Sequence, residues 1–202
     1  TKFAKNIKTV LEKNKLDGID LDFEWAENEK EYKDYSLAIL KMREVLGDKY
    51  LFSVSLHPVC YKISKEAIEA VDFISLQCYG PSPVRFPIEK YCSDIQMVLE
   101  YGIPKEKLVA GVPFYGVTKD NSKKTEAYFN FVQNGLVTSP AQNEVIYQGD
   151  TYVFDGQDNI RIKTRYAKEQ KLKGMMSWDL ATDLPLSDSR SLLKTMTEEL
   201  RE

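Results

Sequence analysis

The stretch Asp-Gly-Ile-Asp-Leu-Asp-Phe-Glu-Trp, residues 17–25, alternates acidic and apolar side chains from its third position onward. An alternation of period two predicts a β-strand, in which Asp20, Asp22 and Glu24 share one face and the apolar residues share the other. The apolar face can pack on a layer of helices, which leaves three carboxylates lined up inside a sheet or barrel. Severe desolvation and mutual repulsion then predict at least one protonated or multiply hydrogen-bonded carboxyl group at neutral pH. With its pKa raised to about 6–7, such a group can donate a proton to a leaving group.

A solvated acidic patch is the alternative interpretation of any run of acidic residues. It suits Glu27, Glu29 and Glu31, which open the following predicted helix and favour its positive end. The regular inward alternation of the three acids before them favours a functional site instead.

The rest of the chain alternates predicted strands and helices. The predicted strands are 18–25, 50–57, 71–79, 107–114 and 174–180, and the predicted helices are 2–14, 28–46, 64–70, 88–102, 159–172 and 187–200. Mostly apolar strands that alternate with helices predict an α/β fold with a parallel sheet covered by helices. Polar turn signals between 116 and 157 interrupt the pattern and predict a small insertion with a hairpin near 144–154.

Two architectures fit a parallel sheet of this kind, an open doubly wound sheet and a closed barrel. No glycine-rich phosphate-binding turn follows a strand, and an acidic strand end favours the barrel, where catalytic groups collect at strand carboxyl ends. We therefore predict a (β/α)8 TIM barrel in which residues 1–202 form the catalytic unit and 116–157 are an insertion. A closed barrel needs about 250 residues and eight strands. Only five strands are predicted outside the insertion, so we expect part of the barrel to be missing here.

Charge and composition argue against several other classes of protein. The chain has 28 basic and 31 acidic residues, a net charge of −3, and therefore no footprint for nucleic acid. We expect no membrane span, because no apolar run approaches the roughly 20 residues that a spanning helix needs. Residues 1–15 also lack the apolar core of a signal peptide. Three cysteines and one histidine match neither a disulfide framework nor a zinc site, so we expect no metal and no cofactor.

The four acids at positions 17, 20, 22 and 24 form the pattern Asp-x-x-Asp-x-Asp-x-Glu. This pattern resembles the fourth-strand signature of the family 18 glycoside hydrolases, the chitinase family. Later segments resemble the fifth to eighth strands of that family in the same order, at 52–58, 71–79, 112–116 and 174–180. The resemblance covers the chain apart from the insertion. It implies an incomplete barrel made of strands four to eight, with the insertion between the seventh and eighth. It also implies a missing N-terminal barrel segment, which is needed for a complete fold.

The resemblance implies a role for each of five residues. Glu24 would protonate the glycosidic oxygen, and the substrate's own acetamido group would then attack the anomeric carbon. This substrate-assisted class is an exception to the usual scheme with two enzyme carboxylates. Asp22 would orient the acetamido group, with Asp20 behind it as a proton partner, and Tyr79 would hydrogen-bond the acetamido oxygen. Trp178 would form the floor under the sugar.

Further candidates for substrate binding are Gln77, Tyr115, Trp25 and His57, with Asp17 in a supporting role. Gln77 precedes the tyrosine of the same predicted strand by two residues and so shares its face, and His57 ends a strand near the rim of the site. Packing in the core is the alternative interpretation for the aromatic residues, and a satisfied buried amide is the alternative for Gln77.

Two further features follow from the resemblance. It implies cis peptide bonds at 24–25 and 178–179. The chain also departs from the family pattern at two positions. Gly80 stands where the family commonly has Asp or Asn, and Val117 stands where the family often has an arginine after the Tyr-Gly pair. Both departures remove polar contacts to sugar.

The function implied is retaining hydrolysis of β-1,4 bonds next to N-acetylglucosamine, in chitin or chito-oligosaccharides. An endo-β-N-acetylglucosaminidase that acts on glycoprotein glycans is one alternative. A non-catalytic chitin-binding lectin is another, although that class typically loses the glutamate that is present here at position 24. A polymeric substrate implies a protein that is secreted, periplasmic or at the cell surface.

Overall fold

The computed structural model describes residues 2–201, so the two ends of the predicted catalytic unit, Thr1 and Glu202, lie outside the described residues. The strands are Gly18–Asp22 (β1), Leu51–Leu56 (β2), Phe73–Leu76 (β3), Leu108–Pro113 (β4), Tyr115–Thr118 (β5), Thr125–Ala127 (β6), Glu144–Tyr147 (β7), Asp150–Val153 (β8) and Gly174–Trp178 (β9). The helices are Lys2–Asn14 (α1), Glu29–Leu46 (α2), Lys65–Ala70 (α3), Ile88–Tyr101 (α4), Tyr128–Gln133 (α5), Gln157–Glu169 (α6) and Leu192–Arg201 (α7).

The main sheet has the strand order β1-β2-β3-β4-β9, and every neighbouring pair is parallel. The strands therefore follow one another across the sheet in chain order. An open doubly wound sheet reverses its strand order at a switch point, whereas a barrel wall does not. Neighbouring helices pack on each other in the same sequence, α1 on α2, α2 on α3, α4 on α6 and α6 on α7. This order supports the predicted barrel architecture over the doubly wound alternative.

The core lies mainly under the central strands. Phe52, Val54, Ile74, Leu108 and Val112 have no exposed side-chain surface. The residues on both faces of β2, β3 and β4 are largely buried. This explains why the sequences of these strands are mostly apolar rather than alternating. Each large apolar side chain that is fully buried contributes about 1.5–3 kcal/mol to folding.

All five strands of the main sheet end earlier than predicted, and the difference is largest in β1 and β3, where this correction concerns the site. The ladder between β1 and β2 ends at the pair Asp22 and Ser55, so residues 23–25 lie beyond the sheet. The ladder between β3 and β4 ends at Leu76, so residues 77–79 lie beyond it as well. The prediction of strands over 18–25 and 71–79 was wrong there because periodicity along one strand does not show where its partner stops.

A second, antiparallel sheet has the order β6-β5-β8-β7 and follows β4 after the single residue Phe114. The hairpin of β7 and β8 confirms the one predicted near 144–154. Phe131 on α5 is fully buried against the rings of Tyr147, Tyr152 and Phe154. That residues 116–157 are an insertion in a barrel stays a prediction. In the part of the chain described, no helix combines the length and apolar character needed to cross a membrane.

Candidate active site

A pocket opens where the parallel strands end. It is lined by Asp22, Glu24, Trp25, His57, Gln77, Tyr79, Gly80, Pro81, Tyr115 and Trp178. The structure thus brings together eight of the predicted site residues and adds two, Gly80 and Pro81. In barrel enzymes the catalytic groups collect at this end of the strands, in and beside the loops that follow them.

Asp20 lies one step down the strand from the pocket and does not line it. Its Oδ1 accepts a hydrogen bond from Ser53 Oγ at 2.5 Å, and its Oδ2 accepts one from Ser55 Oγ at 2.7 Å. Both serines come from β2, whose register places Ser53 beside Asp20 and Ser55 beside Asp22. Asp20 is therefore held firmly behind Asp22, where its charge acts on the next carboxyl group.

The two carboxyl groups that line the pocket both have raised pKa values. Burial raises the pKa of Asp22, the charge of Asp20 raises it further, and a hydrogen bond from Gln77 Nε2 at 3.3 Å lowers it in part. Burial also raises the pKa of Glu24, and the charge of Asp22 adds to that effect. Asp20, Asp22 and Glu24 are exposed in this incomplete barrel wall, and their severe desolvation inside a closed barrel stays a prediction. Nowhere in residues 2–201 are three His, Cys, Asp or Glu side chains arranged to hold a metal ion.

Tyr79 presents a hydrogen-bond donor at the pocket. Burial raises the pKa of its hydroxyl far above the ordinary value, so the group stays protonated. The hydroxyl donates to Met176 Sδ at 3.5 Å. A thioether sulfur is a weak acceptor, so a carbonyl oxygen in the pocket can compete for this proton.

Aromatic rings form much of the remaining pocket wall. Trp178 ends β9 and has 56% of its surface exposed, so its indole face is free to receive a ligand. Tyr115 packs edge to face on Tyr79 and on Phe86, with ring centroids 6.4 Å apart in both pairs. The peptide bonds Glu24–Trp25 and Trp178–Asp179 are both cis, which confirms that prediction.

His57 is buried, and both of its ring nitrogens are engaged. The backbone N–H of Val59 donates to Nδ1 at 3.2 Å, so the proton of the neutral ring is on Nε2, which donates to the Tyr79 carbonyl oxygen at 3.0 Å. Burial lowers the pKa of His57, and the charge of Arg85 lowers it further. The ring also lies 4.8 Å from the ring of Trp25, centroid to centroid. His57 lines the pocket, but its hydrogen bonds go to the protein.

The profile of the family described as Glycosyl hydrolases family 18 matches residues 1–183. The chain belongs to glycosyl hydrolase family 18. Among curated relatives, it is 23% identical to Probable chitinase 2 of Drosophila melanogaster, over 90% of this chain and 50% of that protein. The family 18 chain thus spans about half the length of this relative.

Solved structures share the fold of this family 18 chain. The chitinase ChiB from the chitin utilization locus of Flavobacterium johnsoniae is 28% identical, with a TM-score of 0.79 over 98% of this chain and 64% of that chain. A chitinase-like agglutinin from Robinia pseudoacacia is 18% identical, with a TM-score of 0.79 over 97% of this chain and 71% of that chain. The parallel sheet of this family 18 chain is part of a TIM barrel.

Asp17 is the second residue of the family 18 signature, after Asp20, that does not line the pocket. Asp17 is exposed and precedes β1, at the end of the strand opposite to the pocket. Its backbone carbonyl oxygen accepts a hydrogen bond from the Leu51 N–H at 2.9 Å. A supporting role of its side chain stays a prediction from the resemblance.

Sequence analysis missed four residues that shape this family 18 site. Ser53 and Ser55 bind Asp20, Met176 accepts from Tyr79, and Gly111 on β4 gives the Tyr79 ring its space. The two serines alternate in the middle of an apolar strand, which is a signal of polar partners on a neighbouring strand. No such sequence signal marks Met176 or Gly111.

We expect Gly111→Ala to displace Tyr79 and lower both stability and turnover. A Cβ at position 111 would lie 2.7 Å from the Leu76 carbonyl oxygen and 2.9 Å from Tyr79 Cε1, so the backbone or the ring must move. Overpacking of this kind costs about 1–3 kcal/mol. Thermal unfolding and turnover of a chitobioside measure the two effects.

Gly174→Ala is the matched control for that substitution. Gly174 lies on the adjacent strand, and a Cβ there meets no atom within 4 Å. We expect its unfolding free energy to stay within about 0.5 kcal/mol of the parent. Equal stability and equal turnover of the two alanine variants would show that the site does not need the space beside Gly111.

Proposed function

We propose that this chain is the catalytic part of a chitinase-type glycoside hydrolase that cleaves β-1,4 bonds next to N-acetylglucosamine and retains the anomeric configuration. The observation that carries the proposal is that Glu24 and Asp22 line one pocket together with the exposed Trp178. The raised pKa of Glu24 suits a general acid, because such a group must hold its proton until the leaving oxygen takes it.

The position of the carboxylates favours attack by the substrate rather than by the enzyme. A retaining enzyme with its own nucleophile needs two carboxyl groups that flank the bond, about 5–5.5 Å apart. Asp22 and Glu24 belong to one segment and are two residues apart, so they stand on the same wall. The other lining residues supply an amide, hydroxyl groups and aromatic rings. With no second carboxylate opposite Glu24 among them, the substrate's acetamido oxygen is the nucleophile that we propose.

The proposed cycle gives each group one task. Glu24 donates its proton to the glycosidic oxygen as the acetamido oxygen bonds to the anomeric carbon. Asp22 accepts a hydrogen bond from the acetamido N–H and balances the positive charge that develops on the oxazolinium ring. Asp20 lies behind Asp22, and, in addition to burial, its charge raises the pKa of Asp22. Tyr79 donates its hydroxyl to the acetamido group, and Trp178 supports the sugar from below. Water then opens the oxazolinium ring as Glu24 takes back a proton.

A sugar-binding lectin is the second candidate, because the agglutinin has the same fold. Glu24 favours the enzyme, since binding alone requires no proton donor with a raised pKa.

We further propose that a polymeric substrate places the protein outside the cell, in the periplasm or at the cell surface.

Assays on the full-length protein separate these possibilities. We expect hydrolysis of a chromogenic chitobioside and of chito-oligosaccharides, and NMR of the first product should show the β-anomer. Release of glycans from a glycoprotein without cleavage of chito-oligosaccharides would indicate an endo-β-N-acetylglucosaminidase. Binding of chito-oligosaccharides without turnover of any of these substrates would indicate a lectin.

A further inference from the structure

The turn of residues 57–60 follows β2 and closes on itself. The backbone N–H of Cys60 donates to the His57 carbonyl oxygen at 2.7 Å, and the N–H of His57 donates to the Cys60 carbonyl oxygen at 3.3 Å. Both side chains are buried, with 8% of His57 and 2% of Cys60 exposed. We call residues 57–60 the β2 turn. Its two end residues contact the two segments that carry Glu24 and Tyr79.

The Cys60 side chain of the β2 turn holds the segment that follows the proposed acid. Its Sγ accepts a hydrogen bond from the backbone N–H of Ala26 at 3.2 Å, and Ala26 is itself only 2% exposed. The hydroxyl of Tyr32, on α2, donates to the Val59 carbonyl oxygen of the same turn at 3.4 Å. Burial, then the neighbouring Cys60 thiol, raises the pKa of Tyr32 to about 12. The β2 turn therefore joins the backbone two residues after Glu24 to the helix layer, through the Cys60 sulfur on one side and the Val59 carbonyl oxygen on the other.

The His57 side chain of the β2 turn holds the other segment. Its Nε2 donates to the backbone carbonyl oxygen of Tyr79, and its ring lies against the ring of Trp25. The anchors matter because residues 23–25 and 77–79 lie beyond the ladders of the sheet. The Gln77 N–H still donates to the Leu56 carbonyl oxygen at 2.8 Å, and the side chains of Cys60 and His57 hold the adjoining backbone at Ala26 and at Tyr79.

We propose that Cys60 and His57 are positioning residues that fix the Glu24 segment relative to the Tyr79 segment, a role that rests on the proposed function of those two residues. The β2 turn links them through one short covalent path, Cys60 at one end and His57 at the other. Neither residue needs to touch the substrate for this role. Displacement of a reacting group by about 1 Å can cost about 100-fold in rate, so such anchors affect turnover more than binding.

The first test compares Cys60→Ala with Cys60→Ser in the full chain. Alanine leaves the buried Ala26 N–H without its acceptor, whereas a serine Oγ can still accept. We expect Cys60→Ala to lower kcat about 10-fold with KM within about 2-fold, and Cys60→Ser to restore kcat to within about 3-fold of the parent. Cys92→Ala, on α4 and away from the pocket, is the matched control and should keep the parental kcat.

A second measurement needs no activity and keeps the proposal separate from the proposed function. Hydrogen exchange of the Ala26 amide should be slow in the parent and in Cys60→Ser, and at least about 10-fold faster in Cys60→Ala. An inactive parent would overturn the proposed function and leave this measurement intact. An Ala26 amide that exchanges equally slowly in Cys60→Ala would overturn the anchor. Parental kcat in Cys60→Ala, or equal losses of kcat in the alanine and serine variants, would overturn the positioning role.

His57→Phe tests the other end of the turn. Phenylalanine keeps a ring beside Trp25 but removes both hydrogen bonds of the imidazole. We expect kcat to fall about 10-fold with KM within about 2-fold, because the Tyr79 carbonyl loses its partner. A fall in binding with unchanged kcat would instead indicate direct contact between His57 and the sugar, and would overturn its assignment as a positioning residue.

Discussion

Glu24→Gln in the full-length protein should lower chitobioside turnover by at least about 100-fold, the low end for the loss of a general acid. Glutamine keeps the shape of the side chain and removes the proton that the glycosidic oxygen must receive. Because the pocket wall and the Trp178 face are unchanged, affinity for a chito-oligosaccharide should stay within a few-fold of the parent. Steady-state kinetics and calorimetric titration measure the two quantities.

Glu27→Gln is the matched control for this variant. The side chain of Glu27 is exposed, and the residue lies three positions further along, outside the pocket. We expect parental turnover from it. Near-parental turnover of Glu24→Gln would show that the proton comes from another group.

Asp22→Asn should also lower turnover by about 100-fold, and it should move the pH profile. The charge of Asp22 is the second cause, after burial, that raises the pKa of Glu24. Its removal lowers the pKa of Glu24, so Glu24 loses its proton at a lower pH. The alkaline limb of the kcat profile therefore moves toward lower pH, and it moves only in part because burial remains. The acidic limb changes as well, because the carboxyl groups titrate as a coupled set.

The measurement for this variant is the dependence of kcat on pH between about 3 and 9. Asp48→Asn, an exposed aspartate beyond α2, is the control and should keep both limbs of the profile in place. An Asp22→Asn enzyme with the parental profile would mean that Asp22 is structural and does not act on the charge of Glu24.

The sequence was most informative where periodicity alone decides the structure. Apolar runs such as 50–57 and 107–114 become central strands, and Asp22, at the end of β1, reaches the predicted edge of the sheet. The strand ends could not be predicted, because they depend on the length of the partner strand. The roles proposed for Tyr79 and Trp178 came from a family resemblance, since an aromatic residue at a strand end is also a common core residue.

Other features needed three-dimensional information. A glycine such as Gly111 inside a strand indicates either a weakened strand or another group packed close to the backbone. Nothing in the sequence says that this group is the Tyr79 ring. The short strands β5 and β6 were missed because they lack an apolar alternation. The last helix begins at Leu192 rather than 187, since Asp183 accepts hydrogen bonds from the N–H groups of Leu192 and Leu193 and so caps its first turn.

The register of the parallel sheet sets an order of assembly for the site. The first four strands pair with near neighbours in sequence, as Ile19 does with Phe52, whereas Val109 must find Gly174 across the whole of the antiparallel sheet. Closing a longer loop costs more entropy, and contacts between distant residues form slowly. During synthesis, the acidic end of β1 can therefore meet β2 and β3 long before β9 reaches the sheet. Asp22, at the end of β1, is therefore placed early, and Trp178, at the end of β9, is placed last.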